Sequence, residues 1–183
     1  MTQRIIFNDL SQVHSRLIND YKKGQAPQAL LLSGLSGILK EEFAGYLAQI
    51  LLCSSTKALK PCSKCSACVQ SQKRRHPNLL YLQAQEGSKS IKIEQLRSLL
   101  SALSLNPQES GRRVIVIINI ETMTIQAQNA LLKSLEEPQS SDYYILTSSN
   151  ERLVLPTIIS RCRLIRLLPW SQEQVKELLI HNN

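Results

Sequence analysis

The sequence predicts a three-layer α/β domain, a five-stranded parallel sheet covered by helices on both faces. Short runs that are apolar throughout alternate with segments of helical period, and such runs belong to strands buried on two sides. The first run leads into Gly34-Leu35-Ser36-Gly37-Ile38-Leu39-Lys40-Glu41, which has the frame of a phosphate-binding loop between strand and helix. The 183 residues are 43% hydrophobic and 20% charged, enough chain and enough apolar matter for one full core.

The elements follow in order. Leu17–Lys23 reads as the end of an amphipathic helix, closed by Gly24 with Pro27 beyond. Ala29–Ser33 is a short buried strand. In Glu41–Leu52 the apolar residues Phe43, Tyr46, Leu47, Ile50 and Leu51 recur at helical spacing. A cysteine-bearing insertion occupies 53–76. Asn78–Gln83 is the second strand, and Glu94–Leu105 a helix ending before Pro107. Arg113–Ile118 is the strongest strand, because five β-branched residues follow Arg113. Ala127–Glu137 is a helix stopped by Pro138, Tyr143–Ser148 the fourth strand, Ile158–Arg161 a short helical piece and Arg163–Leu167 the fifth strand. This domain is assigned residues 1–169. In 170–183, Ser171 and Gln174 form a capping box, and Val175, Leu178 and Leu179 an apolar stripe, so a further helix opens there as the start of a second, helical domain.

The phosphate loop is altered at its working end. The frame Gly-x-x-x-x-Gly-Lys-Ser/Thr needs its second glycine for close backbone approach and its hydroxyl for Mg²⁺. Here Leu39 and Glu41 stand in those places. A carboxylate about 4 Å from a phosphate costs about 4 kcal/mol at an effective dielectric near 20. Hydrolysis also needs an acidic pair after a buried strand, and Asn119 and Ile120 occupy those positions, with Glu121 one residue out of place. Gly34, Gly37 and Lys40 are therefore a vestigial nucleotide site, expected to be empty of ATP, and Lys40 reads as a surface lysine at the helix start.

Four of the five cysteines cluster as Cys53-x₈-Cys62-x₂-Cys65-x₂-Cys68. Two-residue spacing lets neighbouring thiolates bite one ion, and four of them close a tetrahedral, structural Zn²⁺ site. Metal binding would supply the folding free energy of a loop without an apolar core, about 10 kcal/mol or more. An iron–sulfur run begins in the same way but needs Cys-Pro after three more residues, where this chain has Gln72.

The net charge is +8 and the isoelectric point about 9.4. Lys57, Lys60, Lys64, Lys73, Arg74 and Arg75 lie between Ser54 and His76 without an acidic residue among them, which fits either a solvated basic surface or a nucleic-acid contact. The longest apolar run, Val114–Ile118, is far too short to span a bilayer. No signal peptide precedes the domain, so a cytoplasmic address is the expectation.

The altered phosphate loop, the four-cysteine run, Gln128-Asn129-Ala130-Leu131-Leu132-Lys133-Ser134-Leu135-Glu136-Glu137-Pro138 and Leu155-Pro156-Thr157-Ile158-Ile159-Ser160-Arg161-Cys162 occur in that order. The combination, over roughly residues 10–170, resembles the clamp-loader subunits of bacterial DNA polymerase III, which are AAA+ proteins. The resemblance implies an AAA+-type domain and, given the lost glycine, hydroxyl and acidic pair, a non-hydrolysing subunit. It implies that Arg161 is an arginine finger acting in trans on ATP held by a neighbouring motor (γ/τ) subunit. It also implies the δ subunit, the sliding clamp and primed DNA as further partners in DNA replication. Ser148 and Asn150 fall where the family keeps a polar sensor. The chain itself is expected to be catalytically inactive although part of a polymerase holoenzyme. The family's complete lid and C-terminal collar extend beyond Asn183, so the chain is either a fragment or a short form. Two other readings stay open, an active motor-type ATPase and a zinc-dependent nucleic-acid-binding module.

Overall fold

In a computed structural model, residues 12–55, 61–85, 87–103, 111–138 and 141–167 are described. The helix expected from Ser171, the lysines at 57 and 60 and the end of the helix expected up to Leu105 lie outside them. Helix α1 (Gln12–Lys22) precedes β1 (Ala29–Ser33), α2 (Lys40–Leu52), α3 (Ser66–Gln72), β2 (Leu79–Leu82), α4 (Ile93–Leu103), β3 (Arg113–Ile117), α5 (Ile125–Glu136), β4 (Asp142–Ser148), α6 (Pro156–Ile159) and β5 (Arg163–Arg166). Single 3₁₀ turns at Ile120–Thr122 and Glu151–Leu153 complete the order.

The five strands pair in parallel in the order β2-β3-β4-β1-β5. Continuous apolar runs make sense in this sheet, because alternate side chains serve opposite cores. Leu30, Leu32, Val114, Val116 and Ile145 pack with Leu17, Tyr21, Phe43, Leu47 and Ile50 of α1 and α2. Leu31, Ile115, Ile117, Tyr144 and Leu146 pack with Leu96, Leu99, Leu131, Leu135 and Ile158 of α4 to α6. The three layers are those expected.

Where bounds differ, a local cause is visible. Helix α5 starts at Ile125, two residues before the expected Ala127, because Thr124 caps it by accepting from the Ala127 amide at 3.2 Å. Strand β4 starts at Asp142, since Arg113 and Asp142 are register partners in a buried pair with contacts of 2.7 and 3.0 Å. Helix α3 was not expected at all. Its seven residues, Ser66 to Gln72, carry no apolar period, and the Cys65 sulfur caps it by accepting from the Cys68 amide at 3.4 Å.

Candidate functional site

In a parallel sheet the loops after the strands gather at the carboxyl end, where α/β proteins bind ligands. Here the loops after β1, β3 and β4 line one cleft of about 250 Å³ with Ser36, Gly37, Leu39, Lys40, Glu41, Glu42, Ile118, Asn119, Thr147 and Ser149. Gly37 at φ +85° and Leu39 at φ 58°, ψ 32° keep the left-handed turns of a phosphate loop. Leu39 thus holds a glycine-like conformation in spite of its side chain, at roughly 1–2 kcal/mol. Gly34 serves packing: a Cβ there would stand 2.7 Å from the Leu167 carbonyl oxygen.

Lys40 corrects the surface assignment. It is only 7% exposed, and Nζ donates to the carbonyl oxygens of Gly34 at 2.9 Å and Leu35 at 2.6 Å. Burial lowers its pKa from the usual lysine value, and the Glu121 carboxylate pulls it partly back. The ammonium therefore staples its own loop. Glu41 pairs with Arg74, which also lies over the Tyr81 ring at 4.6 Å. Asn119 takes a left-handed conformation (φ 51°, ψ 61°) and its amide donates to Thr147 Oγ1 at 2.9 Å. Ile120 is buried, and the 3₁₀ turn that follows lets Glu121 Oε1 accept from the Ser149 amide at 2.9 Å. Ser148 and Asn150 are used internally. Ser148 Oγ accepts from the Asn150 amide at 3.1 Å, and Asn150 Oδ1 from the Arg152 amide at 3.1 Å.

The four clustered cysteines converge. Their sulfur atoms all lie within 4.8 Å of one another, and the Cys62 and Cys68 sulfurs are 3.9 Å apart. A tetrahedral ion with bonds of ~2.3 Å separates its sulfurs by roughly 3.8 Å, so the set fits zinc. Cys62 N donates to the Cys53 sulfur at 3.5 Å and Cys65 N to the Cys62 sulfur at 3.4 Å. Backbone amides of Lys64 and Cys65 hold the Cys62 thiol below its ordinary value. Burial pushes the Cys65 thiol up, but hydrogen bonds from Ser54 and Cys68 outweigh it and bring it to about 6. Burial raises Cys53 and Cys68. The module is docked rather than loose, because Gln49 of α2 donates to the Cys68 carbonyl oxygen at 3.0 Å.

Arg161 is not among the residues lining the cleft. It follows α6 and precedes β5, which places it at the amino end of the sheet, across the four residues of β5, roughly 13 Å at 3.3 Å per residue. Its guanidinium donates to the Thr157 carbonyl oxygen at 2.9 Å and pairs with Glu136 at the end of α5. Gln128 ties the preceding segment down. Buried at 2% exposure, it donates to the carbonyl oxygens of Met123 at 3.3 Å and Leu153 at 3.1 Å and accepts from the Leu155 amide at 2.9 Å. Gln49 and Gln128 escaped the sequence reading. Their only signal was an amide on the inward face of a helix, which implies a partner without naming it.

With this geometry established, comparison with known proteins is decisive. The sequence profile of the family described as "DNA polymerase III, delta subunit" matches residues 10–171. Relatives named DNA polymerase III subunit delta' match from Pseudomonas aeruginosa, at 38% identity over 76% of this chain and 43% of the relative, and from Escherichia coli, at 30% over 84% and 46%. The chain belongs to the DNA polymerase III delta-prime family. It spans about half the length of the curated relatives it matches. A DNA polymerase III subunit gamma of Buchnera aphidicola is also similar, at 30% identity over 88% of this chain and 44% of the relative. Among solved structures, a DNA polymerase III gamma-subunit-related protein of Thermotoga maritima shares the fold, with TM-score 0.65 at 21% identity over 90% of this chain and 49% of that one. The Thermotoga maritima RuvB Holliday junction branch migration motor does so at TM-score 0.60 and 17% identity, over 98% and 53%. The chain thus shares the α/β fold of these proteins. Among the described residues, no helix is long and apolar enough to cross a membrane.

Proposed function

We propose that the chain is the AAA+-type part of a non-hydrolysing δ′-type clamp-loader subunit whose Arg161 acts in trans on ATP held by an adjacent motor (γ/τ) subunit. The δ subunit, the sliding clamp and primed DNA are the other partners, and the four cysteines hold a structural zinc. The observation that carries this reading is the placement of Arg161 at the opposite end of the sheet from the chain's own cleft. From there it faces away from any nucleotide the chain could bind. Guanidinium is permanently charged and forks onto phosphate oxygens, and a finger supplied by a neighbour is worth 10³–10⁵ in rate. The pair with Glu136 is no obstacle, because half-exposed ion pairs contribute about 0–1 kcal/mol.

The cleft supports the second half of the proposal. Lys40 is spent on its own loop, Glu41 brings a carboxylate, and the acidic pair is missing. In a loader reconstituted with the complete subunit, Arg161→Ala should lower clamp loading by tenfold or more while assembly and zinc content stay normal. Arg161→Lys should rescue it only in part. Normal loading by the alanine variant would make Arg161 structural and defeat the trans-acting role.

A further inference from the structure

The outward face of the cysteine module has a chemistry that neither the cleft nor Arg161 uses. Residues 54–76 hold six cations, no acidic residue and no Phe, Tyr or Trp. Of the four cations in the described part, Arg74 is consumed by Glu41 and Tyr81. Lys64, Lys73 and Arg75 are exposed, and none of the ion pairs among the described residues uses them.

Their arrangement follows from how α3 is docked. Cys68 and Ser71 face inward and are buried, which turns Ser66, Gln70 and Lys73 outward at helical spacing. Lys64 precedes the helix, and Lys73 and Arg75 follow it. Cations therefore bracket a short run of neutral hydrogen-bonding side chains. Lys64 and Lys73 flank a helix that is itself roughly 10 Å long at 1.5 Å per residue, the rise of about three phosphates along one strand at 3.4 Å each. A four-thiolate zinc site carries about −2 and Arg74 is paired, but Lys64, Lys73 and Arg75 each keep an exposed positive charge on the module's surface.

From this juxtaposition we infer that the outward face of the cysteine module, through Lys64, Lys73 and Arg75, is a sequence-independent contact for the phosphate backbone of duplex DNA. The choice of partner rests on what the face lacks as much as on its charge. A protein interface needs buried aromatic or aliphatic anchors, and the exposed large apolar residue on α3 is Val69, 38% exposed. Single-strand sites stack bases on aromatic side chains, and the module's one aromatic ring, His76, is buried. Cations on a polar, ring-free surface match backbone contacts, which position a duplex without reading its sequence. This inference goes beyond the proposed trans-acting role of Arg161 and does not rest on it.

The test needs no loader. The chain is titrated against a fluorescein-labelled 20-base-pair duplex of arbitrary sequence, read by anisotropy from 50 to 200 mM salt. Counterion release gives a log–log slope of about −0.9 per phosphate contact. The Lys64→Ala/Lys73→Ala/Arg75→Ala variant should therefore have a slope shallower by about 2.7 and bind at least tenfold more weakly at 50 mM salt, alike for unrelated sequences. Its zinc content and circular dichroism should match the parent. A charge-matched control, Lys22→Ala/Lys23→Ala/Lys133→Ala, should keep the parental slope. Equal loss in the control would assign the binding to diffuse net charge and overturn the inference. So would an unchanged slope in the module variant, a preference for single-stranded over duplex DNA, or a loss confined to binding of an acidic protein partner.

Discussion

At the scale of single residues, the segment carrying Arg161 is held by groups with separable consequences. Gln128 is buried and makes three hydrogen bonds, two of them to the loop just ahead of α6. Gln128→Ala removes the partner of the Leu155 amide and should cost about 1–3 kcal/mol, seen as a lower denaturation midpoint. Glu136→Gln tests the resting pair of Arg161. If the guanidinium has to leave Glu136 to reach a neighbour's phosphate, this variant should load clamps at the normal rate or up to about fivefold faster, since the pair is worth about 0–1 kcal/mol. A rate as low as that of Arg161→Ala would instead mean that Glu136 fixes the working geometry. Cys162, next to the arginine, is half-buried. Burial pushes its thiol up to about 12, so the thiolate fraction at pH 8 is about one in 10⁴ and rises tenfold per pH unit. Native protein should leave Cys162 unalkylated by iodoacetamide at pH 8, whereas unfolding should expose it fully.

At the scale of elements, periodicity made the sheet and its long helices legible, and its absence hid the rest. The five strands and α2 stood out because β-branched runs and helical spacing report burial directly. Helix α3 did not, because burial of only Cys68 and Ser71 leaves no stripe to count, and a thiol at the cap position is not a usual start signal. Its attachment was hidden for a second reason. The Gln49 bond to the Cys68 carbonyl oxygen and the pair of Glu41 with Arg74 join residues 19 and 33 positions apart, and a sequence alone does not show such pairings. The pair also gives Glu41 a structural partner at the place where a hydroxyl would hold Mg²⁺. A seven-residue helix does not stand alone in water, so α3 depends on its docking to α2 and, under the proposed function, on the zinc. Chelation of zinc should speed hydrogen exchange throughout residues 62–75 and leave the amides of β3 protected. Unchanged exchange in the module would mean that α2 alone holds it.

At the scale of the whole molecule, the parallel sheet fixes a polarity. Its carboxyl end presents the altered cleft and its amino end presents Arg161, so the proposed trans-acting residue is kept apart from the chain's own phosphate loop. The sequence identified both ends by their residues, but their separation follows only from the strand order. The cleft can be tested by repair. In Leu39→Gly/Glu41→Thr the loop keeps its left-handed turn with a residue suited to it, and the carboxylate is gone. Removing a charge about 4 Å from a phosphate is worth about 4 kcal/mol at an effective dielectric near 20, close to a thousandfold in affinity. Part of that gain is offset, because Lys40 must exchange its bonds to Gly34 and Leu35, each about 1.5–3 kcal/mol for a charged donor, for bonds to phosphate. Titration calorimetry should therefore show no ATP·Mg²⁺ binding by the parent and measurable but weak binding by the double variant. Hydrolysis should stay absent in both, since Asn119 and the buried Ile120 supply no carboxylate and Glu121 is engaged with the Ser149 amide. Micromolar, Mg²⁺-dependent binding by the parent would show that the cleft is a working nucleotide site. Turnover by the repaired chain would show that Glu121 serves as the missing acid.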